Sequence, residues 1–289
     1  MNRVLPILTV LLAIVAFWYA AAIWMNAPWQ NTLNTRADLT NVPFTEFALQ
    51  TWAQAKPVLP APHQVFGEIW SATVALELTS KRSLAYHGWI TLSSTLLGFV
   101  LGTALGVALA VFIVHNEAAN RSLMPWIIAS QTIPILAIAP MIVVVLNAVG
   151  VSGLIPKALI STYLSFFPVA VGMVKGLRSP EIMHLDLMRT YSASRSQVFW
   201  KLRMPASVPF LFASMKVAVA ASLVGAIVGE LPTGAVAGIG AKLLNGSYYS
   251  QTIDMFAALV AGSIVAVILV GIVGLAGRIT ERAMGARPA

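Results

Sequence analysis

The sequence predicts an all-α polytopic membrane protein with six transmembrane helices. Hydrophobic residues make up 58% of the 289-residue chain and charged residues only 10%, whereas a soluble domain carries about 25% charged residues. Six apolar runs reach or approach the roughly 20 residues that a helix needs to cross the hydrocarbon core. The chain is therefore expected to thread a membrane several times.

The six runs cover residues 4–25, 89–114, 123–148, 158–174, 208–229 and 255–277. The first could be a signal peptide, but it is longer than a usual signal core and no small-x-small cleavage site follows it, which favours a retained helix over residues 1–25. The fourth run is the shortest and draws on residues 154–156. With the N-terminus inside, most of the 18 lysines and arginines fall on inner segments, so both termini are predicted to be cytoplasmic.

Between the first two spans, residues 26–86 form a long extracytoplasmic segment. It begins rich in Asn and Thr, passes Pro57, Pro60 and Pro62, and ends in a helix-like run over residues 63–78. We expect an extended cover with an amphipathic helix near the outer membrane surface. A separate folded domain is the alternative, although about 60 residues give only a marginal core. Residues 87–281 form the predicted membrane core, with a cytoplasmic loop over 177–206 and a tail over 282–289.

The charge balance does not indicate a nucleic-acid partner. The net charge is +8, but the basic residues are spread over short loops, which is typical of membrane topology and of contact with anionic lipids. The four histidines show no metal-ligand spacing, and the absence of cysteine excludes disulfides and thiolate sites. The sequence predicts no metal site, no cofactor and no catalytic residues, so energy for uphill movement would have to come from another protein.

Two spans carry polar or small residues that predict their packing. Gly98, Gly102 and Gly106 recur at spacing four and place three glycines on one helix face, which suits close approach within one subunit or at a subunit interface. The third span contains three prolines, which favour kinks, together with polar side chains. It is either a kinked pore-lining helix or a helix whose polar groups only bond to neighbours; the candidate pore residues are Gln131, Thr132, Pro134 and Asn147.

Glu230 ends the fifth span. An acidic side chain this close to a membrane is a functional candidate for the pore. The alternative is that Glu230 only marks the outer interface, where a loop begins.

A basic amphipathic segment over residues 181–205 is predicted on the cytoplasmic side. Pro180 and Glu181 suit a helix start, the small polar stretch 191–194 suits a turn between two short helices, and Pro205 closes the segment. A charged helix that a membrane protein keeps at its surface suits docking to a partner.

The same segment resembles the EAA loop of ABC importer permeases. That pattern reads Glu-Ala-Ala, three residues, Gly, nine residues, then Ile-x-Leu-Pro. Here the spacing holds throughout, with Asp186, Leu187 and Met188 for the first three positions, Ser192 for Gly, Leu202 for Ile, Met204 for Leu, and Pro205 retained.

Further motifs are similar to those of the nitrate, sulfonate and taurine group of these permeases, in the same order along the chain. They are Val58-Leu59-Pro60-Ala61-Pro62, Gly98-Phe99, Pro134 with Pro140, Gly150, Phe166-Phe167-Pro168, Gly176, Ser194-Arg195 with Phe199, Gly229-Glu230 and Gly238-Ile239-Gly240.

The resemblance implies the type I ABC importer transmembrane fold in a bacterial inner membrane. It implies a pore-forming permease subunit that pairs with a second permease copy, binds cytoplasmic ABC ATPase subunits and receives substrate from an extracytoplasmic binding protein. The implied ATPase-coupling residues are Asp186, Leu187, Met188, Ser192, Ala193, Ser194, Arg195, Leu202 and Pro205. The degraded identities suggest that the second permease could differ from this one.

The alternative function is a self-sufficient secondary transporter or channel. Such proteins commonly show internal repeats and paired intramembrane charges, and neither is evident here. The substrate stays open among nitrate, sulfonates, taurine and small heterocycles. Because few cationic side chains fall in the predicted spans, a small neutral solute such as a pyrimidine-like heterocycle is slightly favoured.

Overall fold

The computed structural model describes residues 4–39, 41–77, 80–232 and 237–285, and all regular elements in these ranges are helical. Two of the connecting pieces are π-helical turns, Ser71–Ala75 after α3 and Phe199–Arg203 before α10. The α-helices are α1 Val4–Arg36, α2 Phe44–Trp52, α3 Pro62–Trp70, α4 Leu84–His115, α5 Glu117–Ser130, α6 Ile135–Ala148, α7 Leu154–Leu177, α8 Ile182–Thr190, α9 Arg195–Val198, α10 Met204–Glu230, α11 Ile239–Tyr248 and α12 Thr252–Ala283.

Five helical stretches among the described residues are long and apolar enough to cross a membrane, and α5 with α6 makes a sixth if the bent pair is one span. Counted as one broken span, this pair gives the six spans that the sequence predicts. The third span is broken rather than kinked, because α5 and α6 meet at 98°. Pro134 stands at the start of α6 and lacks an N–H to continue α5, whereas Pro125 and Pro140 lie inside their helices.

The chain divides into two compact units, one over residues 1–87 and 241–262 and the other over 88–240 and 263–289. In the first unit α1 continues without a break to Arg36, so the boundary predicted at residue 25 falls inside a helix. Asn26 is fully buried there, and its Oδ1 accepts hydrogen bonds from the backbone N–H groups of Val58 at 2.8 Å and Leu59 at 3.1 Å.

Buried amides continue along the same face of α1. The Nε2 of Gln30 donates to Asn34 Oδ1 at 3.0 Å and to Gln50 Oε1 of α2 at 3.1 Å. Instead of the extended cover expected for residues 26–86, the structure shows a folded unit in which side-chain amides fasten α2 and the Pro-rich stretch to α1.

The amphipathic helix in this unit is α3 with its π turn. Pro62, Val65 and Ala72 are buried, while the opposite face presents Phe66 and Trp70, which are 60% and 68% exposed.

The second unit is built on α7 and α10, with residues 88–115 of α4 packed against α7. A Cβ on Gly98 would lie 2.8 Å from Ala158 O, and one on Gly106 would lie 2.7 Å from Phe166 O; one on Gly102 would lie 3.1 Å from Phe166 N. The three glycines thus face α7 of the same chain. Their missing side chains let the two helix backbones approach closely.

Candidate functional site

The segment with EAA-loop spacing folds as α8, a tight turn and α9. Ser192 has a left-handed backbone, with φ of +52°, and the N–H groups of Ser192 and Ala193 donate to Arg189 O at 2.9 Å and Met188 O at 3.0 Å. These bonds close the end of α8 in the manner usually reserved for glycine. The position that the family pattern gives to Gly therefore keeps a glycine-like conformation although it holds Ser.

Ser194 begins α9. Its Oγ accepts from the Gln197 N–H at 3.3 Å, and the Gln197 Oε1 accepts from the Ser194 N–H at 2.8 Å. This reciprocal cap satisfies backbone donors at the start of a helix of only four residues. The turn and the cap together fix the angle between α8 and α9.

No residue of α8 is buried. Its exposed apolar side chains include Ile182, Met183 and Leu187, and Tyr191 follows at the helix end with 77% of its surface exposed. Met183, Leu187 and Tyr191 recur at spacing four and share one side of the helix; we call these three residues the apolar face of α8. The ion pair between Asp186 Oδ1 and Arg189 Nη1 at 3.0 Å is also exposed, so it adds little stability. Contiguous exposed apolar surface is a common feature of protein interaction sites.

A groove of about 410 Å³ lies beside this segment. The His115 ring packs edge-on against Phe199 with centroids 5.1 Å apart, and Arg203 Nη1 donates to Leu177 O at 3.4 Å. Leu202 lies in the π turn and Pro205 in the first turn of α10, so both link the segment to a spanning helix. The groove is lined by Val114, His115, Leu185, Arg189, Ala193, Arg195, Val198, Phe199 and Arg203.

The break between α5 and α6 brings three of the pore candidates together. Gln131 ends α5 and is half-buried, while Thr132 and Pro134 are exposed. Asn147 lies near the opposite end of α6, and 13 residues of helix separate it from the break by about 20 Å. The structure therefore groups Gln131, Thr132 and Pro134 but not Asn147.

Glu230 has a different environment from the other pore candidates. Its side chain is fully buried, and its carboxylate accepts hydrogen bonds from Thr91 Oγ1 at 2.8 Å and from the Gly240 N–H at 2.7 Å. Thr91 lies 139 residues away along the chain, and no sequence pattern predicted this contact. Among the described residues no His, Asp and Glu cluster could hold a metal ion.

Several helices long and apolar enough to span a membrane, a broken span with exposed polar groups and an exposed pair of short helices define the architecture of a polytopic membrane protein. Residues 102–285 match the family of binding-protein-dependent transport system inner membrane components. The chain belongs to this family and is the permease subunit of an ABC importer, which confirms the resemblance. It is a transport subunit, and its family implies an inner membrane, a substrate-binding protein and an ABC ATPase.

Relatives support the same assignment. A probable ABC transporter permease of Haemophilus influenzae is 30% identical over 73% of this chain and 84% of its own length. The riboflavin transport system permease protein RibX of Chloroflexus aurantiacus is 32% identical over 78% and 80%. The formylaminopyrimidine transport permease protein ThiX of Halalkalibacterium halodurans is 30% identical over 60% and 65%.

A solved structure shares the fold. The inward-facing MetNI methionine ABC transporter matches with a TM-score of 0.58 at 20% identity, covering 69% of this chain and 95% of that chain. The prediction of the type I importer fold is thereby confirmed.

Proposed function

We propose that residues 186–196 dock the permease onto its ATPase and transmit ATP-driven movement to the spanning helices. The observation that carries this proposal is the apolar face of α8, which is exposed in the chain and held by the left-handed turn at Ser192. A partner groove would remove that apolar surface from water, at about 25 cal/mol per Å². The coupling residues are Asp186, Leu187, Met188, Ser192, Ala193, Ser194, Arg195, Leu202 and Pro205.

We also propose that both termini and this segment lie on the cytoplasmic side, as the distribution of Lys and Arg predicts. Two permease copies would enclose the pore. The degraded loop identities favour a different second permease. Mass spectrometry of the purified complex tests whether the second permease differs. Two identical permease chains in the complex would contradict a different second permease.

The solute path is proposed to pass the break at Gln131, Thr132 and Pro134, with Asn147 further along α6. Non-helical backbone at membrane depth is tolerated where it is buried in protein or lines a watery cavity. The exposure of Thr132 and Pro134 supports this path, because it leaves polar atoms and a helix start accessible at the break.

The proposed substrate is a small neutral heterocycle. The break offers amide and hydroxyl groups and residues 131–134 carry no charge; two relatives are named for riboflavin and formylaminopyrimidine transport, and others for sulfonates and nitrate. Calorimetry on the cognate binding protein should show tighter binding of riboflavin or formylaminopyrimidine than of taurine or nitrate. The reverse order would contradict the substrate class.

A tryptophan in place of Ala193 tests docking. Ala193 lines the groove beside the turn, and overpacking of an interface costs about 1–3 kcal/mol, so binding-protein-stimulated ATPase activity should fall about tenfold while membrane insertion stays normal. The matched control is Ala276→Trp, at an exposed position of α12, which should leave activity unchanged. Normal stimulated ATPase activity in Ala193→Trp would show that this turn does not dock.

A further inference from the structure

A buried carboxylate fastens the end of α10 to a turn and to α4. The Glu230 carboxylate accepts from Thr91 Oγ1, which lies 2.8 Å from Oε1 and 3.1 Å from Oε2, and from the Gly240 N–H at 2.7 Å. Thr91 Oγ1 in turn accepts from the Ile239 N–H at 2.8 Å. A continuous chain of hydrogen bonds thus joins α4, α10 and the turn over residues 237–240; we call this arrangement the Glu230 clasp.

The donors have the polarity that the carboxylate needs. Glu230 stands at the C-terminal end of α10, where the helix dipole disfavours a negative charge. The N–H groups of Ile239 and Gly240 belong to the first turn of α11. N–H groups in the first turn of a helix have no partner within that helix, so they can bind an anion. Lys157 attracts the Glu230 charge, and its Nζ lies 3.5 Å from Ala237 O.

The turn can close on Glu230 only because it contains glycine. Gly238 has a φ of +134°, and a Cβ there would overlap the Glu230 carboxyl; a Cβ on Gly240 would lie 3.0 Å from Glu230 Cβ and would overlap Ile227 O. On α4, by contrast, Gly88 has no atom within 4 Å of an added Cβ. Close to the carboxylate, the geometry therefore requires glycine at Gly238 and Gly240 but leaves room for a side chain at Gly88.

α10 connects this clasp to the docking segment. It begins at Met204, directly after the π turn Phe199–Arg203, and runs unbroken for 27 residues to Glu230, a length of about 40 Å. A displacement of its first turn is therefore carried along a continuous helix to the carboxylate.

We propose that Glu230 is a positioning residue whose clasp makes the 237–240 turn and the start of α4 move with α10. Movement of residues 186–196 when the docked ATPase binds ATP would thereby reach the opposite end of the second unit. The inference rests on the proposed docking of residues 186–196. It gives Glu230 a role in transmitting movement in place of direct contact with the solute.

The chain contains no cysteine, so Ala237→Cys supplies a single probe in the turn. The assembled complex of permease, ATPase and binding protein is treated with a maleimide, without nucleotide and with a non-hydrolysable ATP analogue. We expect the labelling rate to change at least threefold on addition of the analogue. In the Glu230→Gln and Thr91→Val backgrounds, the labelling rates with and without the analogue should become about equal, because each substitution removes hydrogen bonds of the clasp.

Thr91→Ser keeps the hydroxyl and should restore the nucleotide response, and Gly88→Ala should leave it intact. A response that persists in both Glu230→Gln and Thr91→Val assembled complexes would overturn the proposal, as would the lack of any response in the Ala237→Cys parent. The Ala193→Trp background distinguishes failure of the docking proposal from failure of the clasp proposal. If the ATP analogue still changes the labelling rate in Ala193→Trp, docking at Ala193 is overturned. If it still changes the rate in Glu230→Gln and Thr91→Val, the clasp is overturned.

Discussion

Ser192 shows how a residue can change while its conformation is kept. A left-handed backbone costs an L-residue roughly 1 kcal/mol relative to glycine, yet Ser192 keeps a φ of +52° because the N–H bonds to Arg189 O and Met188 O hold the turn. The sequence showed the spacing of the loop but not this conformation, since Ser gives no signal for a positive φ.

Replacing Ser192 by Gly should therefore stabilise the turn. Removal of about 1 kcal/mol of backbone strain corresponds to roughly fivefold greater hydrogen-exchange protection across residues 182–198. Ser192→Val, which is bulkier and β-branched, should lower protection instead. Equal protection in the wild type and Ser192→Gly would contradict the strain argument.

A second residue-scale effect concerns Glu68 in the first unit. Burial and the neighbouring Asp254 carboxylate raise the pKa of Glu68, while Asp254 pairs with Lys242 at 3.1 Å. Because the folded pKa lies above the unfolded value of 4.5, the stability that Glu68 contributes is present below about pH 4.5 and is lost as the pH rises through the folded pKa.

Glu68→Gln should accordingly raise the melting temperature near pH 7.5, and its advantage over the wild type should shrink as the pH falls toward 4.5. Thermal unfolding of the purified protein across this range measures the difference. Glu77→Gln, at an exposed position, serves as the control and should give a flat difference. A lower melting temperature for Glu68→Gln at pH 7.5 would oppose this account.

At the scale of elements, hydropathy located the spans, but it did not distinguish a kinked third span from a broken one. Pro125 and Pro140 each remain inside a helix, and only Pro134 coincides with the 98° bend. Composition also missed the continuation of α1 to Arg36, because polar Asn26, Gln30 and Asn34 end the apolar run, while the Asn26 and Gln30 amides bond to other segments of the first unit. Such partners lie far away in sequence and leave no local pattern.

The packing of α4 on α7 gives an element-scale prediction. A Cβ on Gly102 would overlap Ser165 Oγ, so Gly102→Ala should reduce the free energy of unfolding by about 1–3 kcal/mol. Gly271→Ala on α12, where an added Cβ meets no atom within 4 Å, should stay within about 0.5 kcal/mol. Denaturant unfolding in detergent compares the two, and equal effects would show that close packing at Gly102 does not limit stability.

At the scale of the whole molecule, the family match begins at residue 102 and covers most of the second unit, while most of the first unit lies before that match. The family assignment identifies an importer permease, and we propose that α8 and α9 form the surface through which the ATPase drives it. The resemblance to the EAA loop implied which residues dock, whereas the exposed apolar face of α8 became visible only in the structure.

Site-specific photo-crosslinking tests this account most directly. Tyr191, 77% exposed at the end of α8, is replaced by benzoylphenylalanine in the assembled transporter, and Tyr249, 69% exposed in the first unit, is replaced in a matched control. We expect a crosslink from position 191 to the ABC ATPase and none from position 249. Absence of an ATPase crosslink at position 191 in a complex with normal ATP-driven uptake would contradict it.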